Sequence, residues 1–404
     1  MKVVFWLSLS IVFYTYAVYP LLMRLLALIL PRPWITADIT PSVSIVLAVH
    51  NGAEVLQGKI RHLVDLDYPD IREIIVVSDG STDGTEMLLA NVDHPLVRAI
   101  IHKEHQGKAA AVNAGVAEAT GELVVFVDIR PRIAPGALRK LVRSFADPEV
   151  GCANGELVLL RDGHTRTAAA FGGMYWRYEK WIRSSEATFD SPVGVYGGFY
   201  AVRRALAVRM PGGTILDDMF QPLSIIRKGY RVIYDSKSCV HDIWPRTTGE
   251  EFQRKVRTLA GNFQLLQLAP WTITPKNRVL FQIISHKYMR LVVPYLLLLM
   301  QFSSLALFTE SRFFAVAAIF QMLVWTTSIA ALRYRLPLIG RIAVPASAIL
   351  VLNAAAVMAL FAFLFTRGPL WKMWKPTSVE AGIAPEDALR VAQSKPQTDV
   401  MTVG

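Results

Sequence analysis

Four long apolar runs frame this chain, and a backbone placed in hydrocarbon must satisfy its own N–H and C=O groups, which restricts such runs to helices. Residues 3–30, "VVFWLSLSIVFYTYAVYPLLMRLLALIL", carry one charge, Arg24. They exceed the ~20 residues that cross a bilayer core. A cleaved signal peptide would have a shorter apolar core and a small-residue cleavage site, so the expectation is an uncleaved anchor over 1–30. Three further runs, at about 291–309, 313–332 and 343–366, are equally poor in charge. The connection "LRYRLPLIGR" brings Arg333, Arg335 and Arg341 between the last two, and basic loops stay cytoplasmic. Alternation then puts residues 31–290 in the cytoplasm and the amino terminus outside. The same parity sends the end of the chain outward, against the basic, Trp-rich "TRGPLWKMWKP". Either the spans are miscounted or one of them is re-entrant.

The middle of the chain has a different pattern. After the Pro-punctuated linker "PRPWITADITP" (31–41), "SVSIVLAVH" reads as a buried strand, 53–66 as a helix and "IREIIVVSD" (71–79) as a second strand. "GSTDGTEMLLANV" turns into a helix, "VRAIIHK" is a third strand, "GKAAAVNAGVAEA" a helix and "ELVVFVD" a fourth strand. Strands alternating with helices predict an α/β fold with a parallel sheet covered on both faces. Ligands then gather at the carboxyl ends of the strands, where His50, Asp79 and Asp128 should converge. The domain is expected over 42–250, with interfacial helices at 251–285, three membrane helices at 286–367 and a polar tail at 368–404.

The net charge of +11 comes from Lys and Arg scattered through the middle and beside the spans, without a dense tract. Anionic lipid and a phosphorylated substrate account for it, and nucleic acid is not an expected partner. Two cysteines, Cys152 and Cys239, show no metal-ligand spacing and no disulfide framework.

Candidate chemistry sits at the strand ends. "VVSDGSTDGT" sets Asp79 before a tight turn with Gly80 and Gly84, and Thr82 or Asp83 would cap the next helix. "HKEHQGKAAAVNAG" starts a helix at Gly107 and Lys108, where backbone N–H groups and an ammonium favour a phosphate. Each alone is equally compatible with turn chemistry or a solvated lysine. "VVFVDIRPRIAP" delivers one carboxylate, Asp128, and two residues later a guanidinium, Arg130.

In their order these segments resemble the GT-A domain of the family 2 glycosyltransferases. "VYGGFYAVRR" (195–204) resembles the glycine-aromatic acceptor segment of membrane-bound members, and "GTILDDMFQPLSIIRKGYRVIYD" (213–235) their acidic motif at a helix start. "FQRKVRTLAGN" (252–262) resembles their Q/R-x-x-R-W segment, with Thr258 in place of the Trp. The resemblance covers about 40–300 and extends to the flanking spans of hyaluronan, chitin and poly-N-acetylglucosamine synthases and of ceramide glucosyltransferases.

The resemblance implies a GT-A fold plus transmembrane helices, and an inverting transfer from a UDP-sugar. Asp218 corresponds to the base that takes the acceptor proton, and Asp217 would hold the acceptor or orient Asp218. His50 would lie near the base of the nucleotide, and Asp79 matches the acid that contacts uracil. Lys108 would approach the diphosphate, with Arg254 and Arg257 supporting the nucleotide from one helix face. Gly197, Gly198 and Phe199 fall in the acceptor segment. Asp128 is the first acid of D-x-D, the ligand of Mg²⁺ or Mn²⁺, but Arg130 replaces the second. Three readings stay open: a weakly held metal, Arg130 in place of the metal, or a solvent-facing Arg130 in an inactive protein. The expected product is a growing polysaccharide on a multi-pass membrane enzyme with a cytoplasmic catalytic domain. A membrane lipid acceptor and a catalytically silent partner subunit are the alternatives.

Overall fold

A computed structural model describes residues 1–160, 166–243, 248–334 and 340–373. Helices α1 (Lys2–Phe13) and α2 (Tyr19–Ile29) join through a π turn into one apolar rod, Lys2–Ile29. The α/β pattern begins at β1 (Val43–Val49), followed by α3 (Ala53–Val64), β2 (Ile71–Asp79), α4 (Thr85–Ala90), β3 (Val97–His102), α5 (Lys108–Glu118) and β4 (Leu123–Val127). These are the strands and helices expected from the sequence. Asp83, not Thr82, does the capping: its carboxylate accepts from Thr85 N (3.1 Å) and from Ala53 N at the start of α3 (2.9 Å).

The chain continues through β5 (Arg132–Ile133), α6 (Ala137–Arg143), β6 (Val150–Leu160), α7 (Arg166–Phe189), β7 (Phe199–Arg203), α8 (Asp217–Arg227) and β8 (Arg231–Ile243). One eight-stranded sheet results, in the order β3-β2-β1-β4-β7-β6-β8-β5. The mostly parallel sheet expected is parallel from β3 to β4 and again between β6 and β8. Between these parts β7 runs antiparallel to both β4 and β6, and at the edge β5 is antiparallel to β8. Apolar side chains on the two faces form two separate cores, one around Val46, Val77 and Phe126, the other around Ile45, Leu47 and Val125. Successive residues of β1 and β4 point to opposite faces, which is why these strands read as unbroken apolar runs.

Gly80 closes β2 with φ +62°, and a Cβ there would collide with the backbone of Glu104 and His105. The turn after β2 and the loop before α5 can touch only at a residue without a side chain.

Helix α9 (Thr248–Leu268) leaves the domain, and α10 (Leu280–Ile283) runs through a second π turn into α11 (Met289–Ala306). The first of the later spans therefore starts at Leu280, about a turn and a half into the stretch expected to be interfacial. Helices α12 (Arg312–Arg333) and α13 (Gly340–Phe365) complete the apolar set, and four helical segments are long and apolar enough to cross a membrane. The basic connection expected between α12 and α13 lies mostly outside the described residues, as does most of the expected tail.

Two contacts order the ends of these helices. Lys2 pairs with Glu310 at 3.0 Å and the Trp6 ring stacks on Phe313, so the start of α1 meets the start of α12. At the other end, a 3₁₀ turn (Leu370–Met373) beyond α13 sets Trp371 against the α/β domain, beside Gly107 and Gly213. Helix α13 itself packs on α9, through Val256, Ala260, Ala355 and Ala359 and a Phe263–Phe363 stack. The segment after α13 thus meets the domain, an arrangement in conflict with strict alternation of four crossings.

A buried polar cluster fastens the domain to its helices. His286, fully buried, faces Glu186 through Nδ1 (2.8 Å) and Glu179 through Nε2 (3.2 Å). Tyr19 donates to Glu186 (2.5 Å), and Arg290 pairs with Glu179.

Gly80→Ala should destabilise the domain by more than about 1 kcal/mol, since an L-residue must adopt a left-handed conformation inside a contact. Thermal unfolding of the detergent-solubilised protein measures it; an unchanged midpoint would mean that the two loops need not touch.

Candidate active site

Strand β4 carries the chain to Asp128, whose N–H donates to the Gly198 carbonyl (3.2 Å). Lys108 opens α5, and its ammonium lies 2.9 Å from Asp128 Oδ1 and 3.1 Å from Asp217 Oδ2. One cation therefore links the parallel half of the sheet to the start of α8. Burial by itself would depress the Lys108 pKa, but the carboxylates of Asp128 and Asp217 outweigh it and raise the pKa above the ordinary lysine value. The Asp128 side chain keeps 40% of its surface exposed while that of Asp217 keeps 8%, so the cluster opens on the Asp128 side.

Asp218 follows at the partly buried edge of this cluster. Its carbonyl accepts from Val195 N (2.9 Å), and a Cβ at Gly197 would sit 3.5 Å from Asp218 Oδ2. Gly197 thus leaves open the space in front of the carboxylate. Burial, then the neighbouring Asp217 carboxylate, push the Asp218 pKa up to about 6, against the pull of Lys108. Such a group is mostly ionised at neutral pH and basic enough to accept a hydroxyl proton in a transition state.

Gly198 is covered by the ring of Tyr196, whose hydroxyl lies 3.5 Å from Asp242 Oδ2. Phe199 is elsewhere. It is fully buried in β7 opposite Val127, within the sheet core, and cannot meet an acceptor. Tyr196 is the aromatic side chain that the acceptor segment presents here. Phe199 begins β7 and enters the core with it, whereas Tyr196 lies in the loop before the strand.

Arg130 does not hang in solvent unpartnered. Its Nη2 lies 3.5 Å from Asp242 Oδ2 on β8. Asp242 escaped the sequence reading because nothing but the fold brings β8 beside β5 and the Asp128 turn.

At the end of β2 the structure corrects two expectations. Asp79 is 2% exposed, and both carboxylate oxygens are engaged: Gln106 N at 2.9 Å, Gly107 N at 2.7 Å and His105 Nδ1 at 2.8 Å. It shapes the loop before α5 and does not present a free carboxylate to a base. For the same reason the Gly107 N–H is not open to a phosphate. His50 stays at the strand end, with Nδ1 2.7 Å from the Asp79 carbonyl and its ring stacked 3.8 Å from His105. Trp371 meets His105 edge to face at 4.6 Å, an aromatic contribution from beyond α13 that sequence reading missed entirely. Arg254 is paired with Glu251 (2.7 Å) and Arg257 is exposed on α9. No ion pair joins either to Asp128, Asp217 or Asp218 among the described residues.

Asp128, Asp217 and Asp242 are already bridged by Lys108 and Arg130. Among the described residues no group of three or more His, Cys, Asp or Glu side chains is disposed to hold a metal ion. The donor set does not fit a divalent site built by the protein alone.

A parallel half, a mixed continuation and acids gathered where the two meet define a GT-A fold. The same fold is found in the mannosyltransferase PcManGT from Pyrobaculum calidifontis, solved with GDP-Man and Mn²⁺. The match has a TM-score of 0.67 and 22% identity and covers 90% of this chain and 99% of that one. Residues 44–208 match the family described as Glycosyl transferase family 2. Its relatives include the poly-beta-1,6-N-acetyl-D-glucosamine synthase of Staphylococcus aureus (strain COL), 24% identical over 246 residues, 58% of each protein. Another is the N-acetylglucosaminyltransferase of Rhizobium meliloti (strain 1021), 24% identical over 239 residues, 55% of this chain and 56% of that one. The chain therefore aligns with little more than half the length of these curated relatives.

Asp218→Asn keeps the shape and removes the proton acceptor, so transfer should fall by ~10²–10⁴-fold while donor binding holds. In the wild type the rate should drop as pH falls through about 6, where Asp218 takes up its proton; activity that ignores both changes would exclude Asp218 as base. Arg130→Asp, by setting a second carboxylate two residues after Asp128, should tighten Mn²⁺ binding as read by electron paramagnetic resonance. Equal binding in both proteins would place any metal away from this turn.

Proposed function

We propose that the protein is an inverting glycosyltransferase that transfers a sugar from a UDP-sugar to a growing polysaccharide at the cytoplasmic face of a membrane. One observation carries the reading: Asp218, raised toward neutrality, stands behind the opening at Gly197 while Lys108 stands between Asp128 and Asp217. Asp218 takes the proton of the acceptor hydroxyl, whose oxygen forms the new bond to the anomeric carbon. The bond from that carbon to the diphosphate breaks on the opposite side. Lys108 and Arg130 meet the charge that develops on the leaving group, where fixed cations act most strongly. The assembled acids and ammonium speak against a silent partner subunit, and the names of the relatives make UDP-N-acetylglucosamine the first donor to try.

The same reading includes a topology. The contact of Lys2 with Glu310 and that of Trp371 with the domain are accounted for by three crossings, Lys2–Ile29, Leu280–Ala306 and α12, with α13 lying along α9 on the cytoplasmic side.

Membranes containing the protein, incubated with radiolabelled UDP-sugars, should convert one donor into a long polymer. A single glycolipid product would replace the polysaccharide by a lipid acceptor, and no turnover with any donor would reject the enzyme reading. A reporter active only outside the cytoplasm should stay silent when fused after Leu160 and after Met373. Signal after Met373 would make α13 a fourth crossing.

A further inference from the structure

Beneath the turn that carries Asp128 and Arg130 lies a charged side chain that the transfer mechanism does not use. Lys59, in the middle of α3, is 5% exposed, and its ammonium donates to the Pro131 carbonyl at 2.6 Å. Three residues on, His62 Nε2 accepts from Ile133 N at 3.0 Å. Helix α3 thus grips both ends of residues 131–133, the segment that leaves Arg130. A hydrocarbon side chain of Lys length would fill the same space without the desolvation cost of an ammonium. What the ammonium adds is an anchor for the turn and a positive charge under it.

We infer that Lys59 is a positioning residue for the donor diphosphate, fixing the Asp128–Arg130 turn from below and holding a cation beneath it. This rests on the nucleotide-sugar reading of the site. The groups that face Lys59 are Asp128 and Asp242, which favour its charged form, and Arg132, which opposes it. Burial outweighs the two acids and draws its pKa down to about 7. His62 is kept neutral, its pKa pushed down to about 3 by burial and then by Lys59 and Arg132. Lys59 is therefore the member of this pair that changes charge near neutrality. A diphosphate above the turn favours the protonated amine, so donor binding takes up a proton there and this contribution fades as pH rises through 7.

The test uses purified full-length protein and UDP, with affinity measured calorimetrically between pH 6 and 8.5 for wild type, Lys59→Met and Lys59→Arg. The terminal phosphate of UDP titrates in this range for all three, so the ratios between proteins are the readout. At pH 6, Lys59→Met should bind UDP roughly three- to tenfold more weakly than wild type, and the ratio should approach one at pH 8.5. Lys59→Arg, charged throughout, should match wild type at pH 6 and bind more tightly at pH 8.5. Because the Met variant loses a buried charge, its melting temperature should equal or exceed that of wild type. Ratios that do not change with pH would overturn the inference. So would weak binding by Lys59→Met together with a lowered melting temperature and no rescue by Arg, which would mark a merely structural lysine. A wild type that binds no nucleoside diphosphate would instead remove the nucleotide-sugar reading, a result distinguishable from unaltered variants of a protein that does bind.

Discussion

The ammonium of Lys108 is the interaction on which the site depends. It starts α5 in the parallel half of the sheet, reaches Asp128 at the end of β4 and meets Asp217 at the start of α8. Three acids gathered without it would repel one another, and the nearest of them would be driven to the neutral form. With it, Asp128 and Asp217 share a cation, and Asp218 is left as the acid whose pKa rises. The adjacent aspartates thus differ: Lys108 pairs with Asp217, while burial and then the Asp217 carboxylate raise Asp218. The Lys108 side chain keeps 39% of its surface exposed, so this fixed charge can be reached from solvent.

The nucleotide end follows a second rule: buried carboxylates organise loops before they bind ligands. Asp79 holds the Gln106 and Gly107 N–H groups and His105, and Gly80 lets that loop come close. The stack of His50 on His105, with Trp371 at its edge, is a consequence of that close approach. Trp371 also ties the membrane part to the site, because α13 must run along α9 for the chain beyond it to arrive there. The Glu179–His286–Glu186 cluster fixes α7 to the start of the Leu280–Ala306 rod, so the domain and its helices share one frame.

Much of this was legible in the residues. The periods of "SVSIVLAV" and "IREIIVVSD" located β1 and β2 to within a residue, because strands buried on both faces must be apolar throughout. Asp128 was singled out from its place at a strand end, and Asp217 and Asp218 through the resemblance; Lys108 pairs with Asp128 and Asp217, and Asp218 stands next to them. The failures share a cause. Phe199 was read as a site aromatic and lies in the core, because glycines in "YGGF" leave the direction of the following strand open until β4 and β6 pair with it. Hydropathy located the four apolar helices but not their packing, since only the fold sets α13 against α9.

The sequence by itself determined the kinds of elements, their order and the chemistry of each strand end. Those follow from local periodicity, turn residues and charge, which neighbours in the chain settle among themselves. Only the tertiary structure decided the pairings. Arg130 with Asp242, Lys59 with Pro131 and Trp371 with Gly107 join residues 72 to more than two hundred positions apart. No local propensity encodes such contacts, because they form only once the sheet order β4-β7-β6-β8-β5 has been closed by the burial of its two faces.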